Sequence, residues 1–150
     1  NDRFKDNVKL EDIYIFSFID KGIQSITMKY SLMIETLFKT RLSYVISNHL
    51  GVHQDDYLHA RYYKRQINHL SFSKVKQEIN KQLDICNAKQ PTKYYLKYHN
   101  HVPPWILFKN ISFGSAINIF RLLSTKHKRE VANLLLPTDL FTCKDKIVIN

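Results

Sequence analysis

The sequence predicts an all-α fold, a helical bundle of five or six helices that opens on one unusually long helix. Three observations carry this. Apolar residues recur at steps of three and four through the first third of the chain. Glycine and proline number only three and four in 150 residues, too few for the turns of an all-β domain. Serine, glycine and proline stand where helices would begin and end. With 44% apolar residues, nine Phe, nine Tyr and one Trp, the chain can fill a core, which excludes intrinsic disorder.

Taken in order, Ile13, Phe16, Ile19, Ile23, Ile26, Tyr30, Met33 and Leu37 follow one helix face, and Leu42, Val45, Ile46 and Leu50 extend it to Gly51, a C-terminal cap. Unbroken, residues 10–50 would span about 60 Å, and Gly22 is the expected kink or break. Glu35 and Lys39 are spaced to pair across one turn. Residues 55–70 have poor periodicity and read as partly helical. Ser71 or Ser73 caps a helix that buries Val75, Ile79, Leu83 and Cys86. Residues 87–92 form a loop, and 93–102 are extended or helical. Pro104 suits a first helical turn, with Trp105, Ile106 and Phe108 starting a short helix. Gly114 after Phe113 permits a turn or a close crossing. Ile117, Phe120 and Leu123 are the buried face of the next helix. Ser124 or Thr125 caps a last one, which Pro137 ends.

No run of about eighteen apolar residues exists, so no membrane span is expected. The start at Asn1 and the end at "KDKIVIN" read as one all-α domain, residues 1–150, cut from a longer protein. Cys86 and Cys143 lie far apart without partners at zinc spacing, so no disulfide framework or structural metal is expected, and a reducing cytoplasm fits.

The net charge is +10 and uneven. Residues 1–52 carry seven Lys/Arg against six Asp/Glu, and residues 53–150 carry sixteen against seven. Nothing acidic occurs between Asp84 and Glu130, a stretch with eight Lys/Arg, three His and seven aromatics. Solvated surfaces usually mix signs to limit self-repulsion; a one-sign stretch this long points to a polyanion, whose phosphates release counterions to each Lys or Arg. Arg61, Lys64 and Arg65, then Lys93, Tyr94 and Lys97, interleave cations with rings that can stack on unpaired bases. Lys126, Lys128 and Arg129 add charge on the last helix. A tyrosine-lined helix contact with snorkelling lysines explains the pattern around 93–98 equally well.

No complete active site is visible. His99-Asn100-His101 resembles the motif of metal-dependent HNH nucleases, but such a centre needs further His or carboxylate ligands, and residues 102–129 hold no carboxylate. Arg41 and His49 lie about 80° apart around a helix and ~12 Å along it. They read as a surface Arg in a salt bridge and a helix-end His. Neither a Gly-rich phosphate loop nor a Gly-x-Ser-x-Gly elbow is present, and no cofactor is expected.

The segments "LEDIYIFSFIDKGI", "LMIETLFKTRLSYVISNHLG", "PPWILFKNISFGSAINIFRLL" and "KREVANLLL" together resemble the Abi-like bacterial proteins of the AbiD/AbiF type, phage abortive-infection proteins of the HEPN superfamily. The shared elements are Ile19-Asp20, Ile34-Glu35, Pro104-Trp105, Ser112-Phe113-Gly114 and Val131-Ala132, over residues 4–136. The resemblance implies an RNA-targeting, metal-independent ribonuclease toxin, with a homodimer expected and a structured noncoding RNA holding it in check. It also implies that Pro104, Trp105 and the Phe-Gly pair serve packing. The catalytic Arg-Asn…His motif of such proteins is expected on a later helix after Ser-Phe-Gly, but no Arg here precedes Asn and the chain ends about where that helix should begin, so the motif either lies beyond Asn150 or is lacking. The resemblance therefore assigns no catalytic residue, and a non-catalytic RNA-binding module is the other reading.

Overall fold

A computed structural model describes residues 9–136. The architecture is all-α, with seven α-helices among the described residues. The chain divides into two compact units, Asn1–Thr36 and Leu37–Asn150. Helix α1 runs Leu10–Leu50 without a break at Gly22. A Cβ on Gly22 would meet nothing within 4 Å, so neither a turn nor a close approach requires that glycine.

In the first unit the described backbone is all α1, and the apolar line expected to be buried is exposed. Phe16 is 72% exposed, and Ile19, Ile23, Ile26, Tyr30 and Met33 are exposed with it. Tyr14, Phe18, Met28 and Leu32 are open on other sides, so apolar side chains surround the helix rather than marking one face. No second described element in this unit offers a surface to cover them.

The second unit holds the core. Leu42, Val45, Ile46 and Leu50 at the end of α1 are buried, and Gly51 leaves the helix at φ +104°, a backbone state that favours glycine. Residues 55–70, expected to be partly helical, are broken into short pieces. These are α2 (Gln54–Tyr57), a 3₁₀ turn (Ala60–Tyr62) and a two-residue hairpin of β1 (Gln66–Ile67) with β2 (Leu70–Ser71). Buried hydroxyls hold this poorly periodic stretch: Tyr57 donates to the carbonyl of Val102 at 2.6 Å, and Tyr63 donates to that of Tyr57 at 2.7 Å. Burial pushes both phenol pKa values far up, so they stay donors.

Ser71 caps α3 (Phe72–Cys86) by accepting from Lys74 N–H. Val75, Ile79 and Leu83 form its inner line, each contributing about 1.5–3 kcal/mol by burial. Cys86 is only half-buried; Cys143 and Pro137 lie outside the described residues. Helix α4 (Thr92–His99) settles the ambiguity of 93–102, and Asn100 ends it in the left-handed region at φ 56°. Helix α5 (Pro104–Asn110) starts on proline and buries Ile106, Leu107 and Phe108. Helix α6 (Phe113–Leu122) is capped by Ser112, whose Oγ accepts from Ser115 N–H at 3.1 Å. Gln82 of α3 clamps this start, accepting from Ser112 N–H and donating to Ser115 Oγ. Ser124 caps α7 (Thr125–Leu135), which buries Val131 and Ala132. Helix α3 packs on both α5 and α6.

Candidate nucleic-acid interface

After the 3₁₀ turn the backbone extends, and Tyr63 bridges antiparallel to Leu123. Its ring stacks on Phe72, centroids 4.5 Å apart. Side chains alternate along extended backbone, so burial of Tyr63 sends Lys64 outward. The Lys64 N–H donates to the Leu122 carbonyl at 2.8 Å, which places Lys64 at the end of α6, beside Arg121 and the first turn of α7. There the half-buried Lys128 holds its ammonium 6.0 Å from the Phe120 ring. Burial, then repulsion from Lys64 and Arg121, lowers its pKa. None of these three cations has an ion-pair partner among the described residues. An ammonium repelled by two neighbouring cations is stabilised by an anion, and a phosphate supplies one with several acceptor oxygens.

One residue earlier, His127 stacks on His49 of α1 with ring centroids 5.0 Å apart. His49 Nε2 lies 2.7 Å from Glu130 Oε2, and His127 Nδ1 lies 3.1 Å from Ser124 Oγ. Burial and the neighbouring His49 lower the His127 pKa, against an opposing pull from Glu130, and Lys126 lowers it further. His49 is thus more than a helix-end residue. Arg41 departs from a surface salt bridge: it is half-buried, and its Nε is enclosed without a hydrogen-bond partner.

The expected site residues fall into separate groups. Lys64 and Lys128 come together, and Arg121 is near enough to Lys128 to repel it as well. Arg61 donates to the Tyr62 hydroxyl at 2.6 Å and covers its ring, and with Arg65 it lines a recess against Gln66, Ser71, Phe72 and Ser73. Lys126 and Arg129 are exposed on a different side of α7, since Lys126 and Lys128 lie about 160° apart around its axis. Lys93, Tyr94 and Lys97 are exposed on α4. The His99-Asn100-His101 triplet is the C-terminal cap of α4, with His101 Nδ1 2.8 Å from the His99 carbonyl oxygen. Among the described residues no group of three His, Cys, Asp or Glu is placed to hold a metal ion, and no helix is long and apolar enough to cross a membrane.

Sequence reasoning passed over Arg121, which reads as one polar residue of an apolar helix; its place in the acid-free stretch was the available signal. It also passed over Glu130 and His127, which meet His49 from 81 and 78 positions away. Trp105, expected in packing, is 47% exposed.

The family profile for Abi-like proteins matches residues 1–147. The chain belongs to the Abi-like protein family. Abi-like proteins take their name from abortive infection, a form of phage defence, and this member is assigned to that role at the family level. No curated protein and no solved structure matches the chain. Of the elements shared with the family, Pro104 and Ala132 are buried, Ser112 caps α6, and Asp20 accepts from Gln24 Nε2 at 2.6 Å. Gly114 of this Abi-like protein does not serve a close crossing. An added Cβ there would approach only Ser112 Oγ, at 3.9 Å, and the residue is simply part of the first turn of α6.

Proposed function

We propose that this Abi-like protein is an RNA-associated phage-defence toxin, a HEPN-type, metal-independent ribonuclease of the cytoplasm, bound and regulated by a structured noncoding RNA. The observation that carries the RNA part is the cluster of Lys64, Arg121 and Lys128, three cations without a carboxylate among them. Every carboxylate absent from residues 85–129 strengthens the field such a cluster presents. The ribonuclease part rests on family membership and the HEPN resemblance. In this reading the cluster holds phosphates, and acid–base groups cleave by 2′-hydroxyl attack without metal. A homodimer belongs to the same reading.

A second reading is a non-catalytic module that assembles with a dedicated RNA. It rests on the Lys64, Arg121 and Lys128 cations alone and asks for no acid–base group. Incubating the full-length protein with total cellular RNA in EDTA separates the two. Cleavage supports the ribonuclease. Tight, salt-sensitive binding with intact RNA leaves the module, and no binding at low salt removes both.

A further inference from the structure

The chain has one tryptophan, and α5 turns it outward while burying the three residues that follow it. An indole is the largest apolar surface a side chain offers, so one left 47% exposed beside a well-filled core invites a partner. Trp105 is held in place: its Nε1–H donates to the Tyr95 hydroxyl at 3.4 Å. Tyr95 sits edge-on to Tyr94, centroids 5.9 Å apart, and Tyr94 lies 4.7 Å from Tyr98. Tyr94 and Tyr98 are 49% and 61% exposed. A hydrogen bond from Trp105 to Tyr95, and ring contacts from Tyr95 through Tyr94 to Tyr98, thereby link the aromatic side chains of α4 and α5.

Charge says what covers it. Lys93 and Lys97 lie four apart on α4, alongside the Tyr94–Tyr98 pair, and the Lys97 ammonium sits 5.1 Å from the Tyr98 ring. No carboxylate lies within residues 85–129. A ligand that complements ring faces flanked by ammonium groups carries flat π-systems joined by anions. Unpaired nucleobases on a phosphodiester backbone meet that description; in a duplex the base faces are already stacked on one another.

We propose that Trp105, with Tyr94 and Tyr98, is a stacking platform for unpaired bases of single-stranded RNA, whose phosphates Lys93 and Lys97 neutralise. The proposal rests on the nucleic-acid reading above and adds the strand class. The Lys64–Arg121–Lys128 cluster accepts phosphates of any strand, whereas the platform accepts only bases whose faces are open.

The test titrates full-length protein with a twelve-nucleotide oligouridylate, with an RNA duplex of equal length, and with oligothymidylate, following tryptophan emission and fluorescence anisotropy of labelled strands. Oligouridylate is expected to quench a component of the emission that Trp105→Phe abolishes, and the duplex is expected to leave that component unchanged. Trp105→Ala is expected to weaken single-strand binding roughly 5- to 150-fold, the range for one stacked base. Trp105→Phe keeps a ring and most of the affinity, and circular dichroism melting checks that both variants fold. Equal quenching by duplex, or unchanged oligouridylate affinity in Trp105→Ala, overturns the platform while leaving the nucleic-acid reading intact. Oligothymidylate bound more tightly than oligouridylate overturns the choice of RNA. Failure of the wild-type protein to bind any of the three brings down the nucleic-acid reading and the platform with it.

Discussion

The backbone N–H of Lys64 donates to the carbonyl of Leu122 across 2.8 Å, and this bond sets two distant basic stretches of the chain side by side. Through it Lys64 stands near Arg121 and Lys128, close enough for both to bear on the Lys128 charge. The fold tolerates that repulsion because buried groups, Tyr63 and Leu123 among them, fix the backbone beneath it.

Charge reversal of the exposed Lys64 together with the half-buried Arg121, Lys64→Glu with Arg121→Glu, should weaken RNA binding. The slope of log affinity against log salt should flatten by about 0.7–0.9 for each phosphate that is no longer neutralised. Lys128→Met should raise the melting temperature while it weakens binding, since it removes a half-buried ammonium that its neighbours repel. Anisotropy titrations across a salt series, beside thermal melts, check both.

The His127 pKa lies below its ordinary 6.5 because of burial first and the adjacent His49 second, with Lys126 adding to them and Glu130 opposing. The folded state therefore binds a proton less readily than the unfolded chain. The associated stability is complete above pH 6.5, is lost as pH falls toward the folded pKa, and declines no further below it. The melting temperature should drop between pH 7 and pH 5, and His127→Asn should make that drop shallower.

Gly114→Ala should be neutral or stabilising by up to about 1 kcal/mol, because the residue is helical and its nearest neighbour, Ser112 Oγ, is 3.9 Å away. Ser112→Ala should instead cost about 0.5–2 kcal/mol through loss of the α6 cap. Urea denaturation of the two variants measures the contrast; a larger loss at Gly114 would mean that the Phe-Gly pair does serve a close approach.

Tyr57→Phe should cost about 1–3 kcal/mol, although it removes a single oxygen. The Val102 carbonyl loses its 2.6 Å donor in a place closed to water. The same substitution at the exposed Tyr98 should leave stability unchanged, and chemical denaturation distinguishes the two sites.

Much of the secondary structure was legible in the sequence, and the reason is local. Gly51, Ser71, Pro104 and Ser124 act within one or two turns of themselves, so the helix boundaries they mark appear where expected. The short pieces between His53 and Ser71 were not legible, because Tyr57 and Tyr63 hold them through bonds to groups elsewhere in the fold and leave no period behind.

By itself the sequence determined that this is a helical, basic chain of the Abi-like type, with no carboxylate between Asp84 and Glu130. Tertiary structure alone decided what each pattern does. Phe16 and Leu42 belong to one apolar series, yet one is exposed and the other fully buried. Trp105 and Phe108 share a short helix, and only the second enters the core. Lys64 meets Arg121 and Lys128 across nearly half the chain. Periodicity records which residues share a side of a helix; burial and electrostatic proximity depend on what packs against that side, and distant residues supply it.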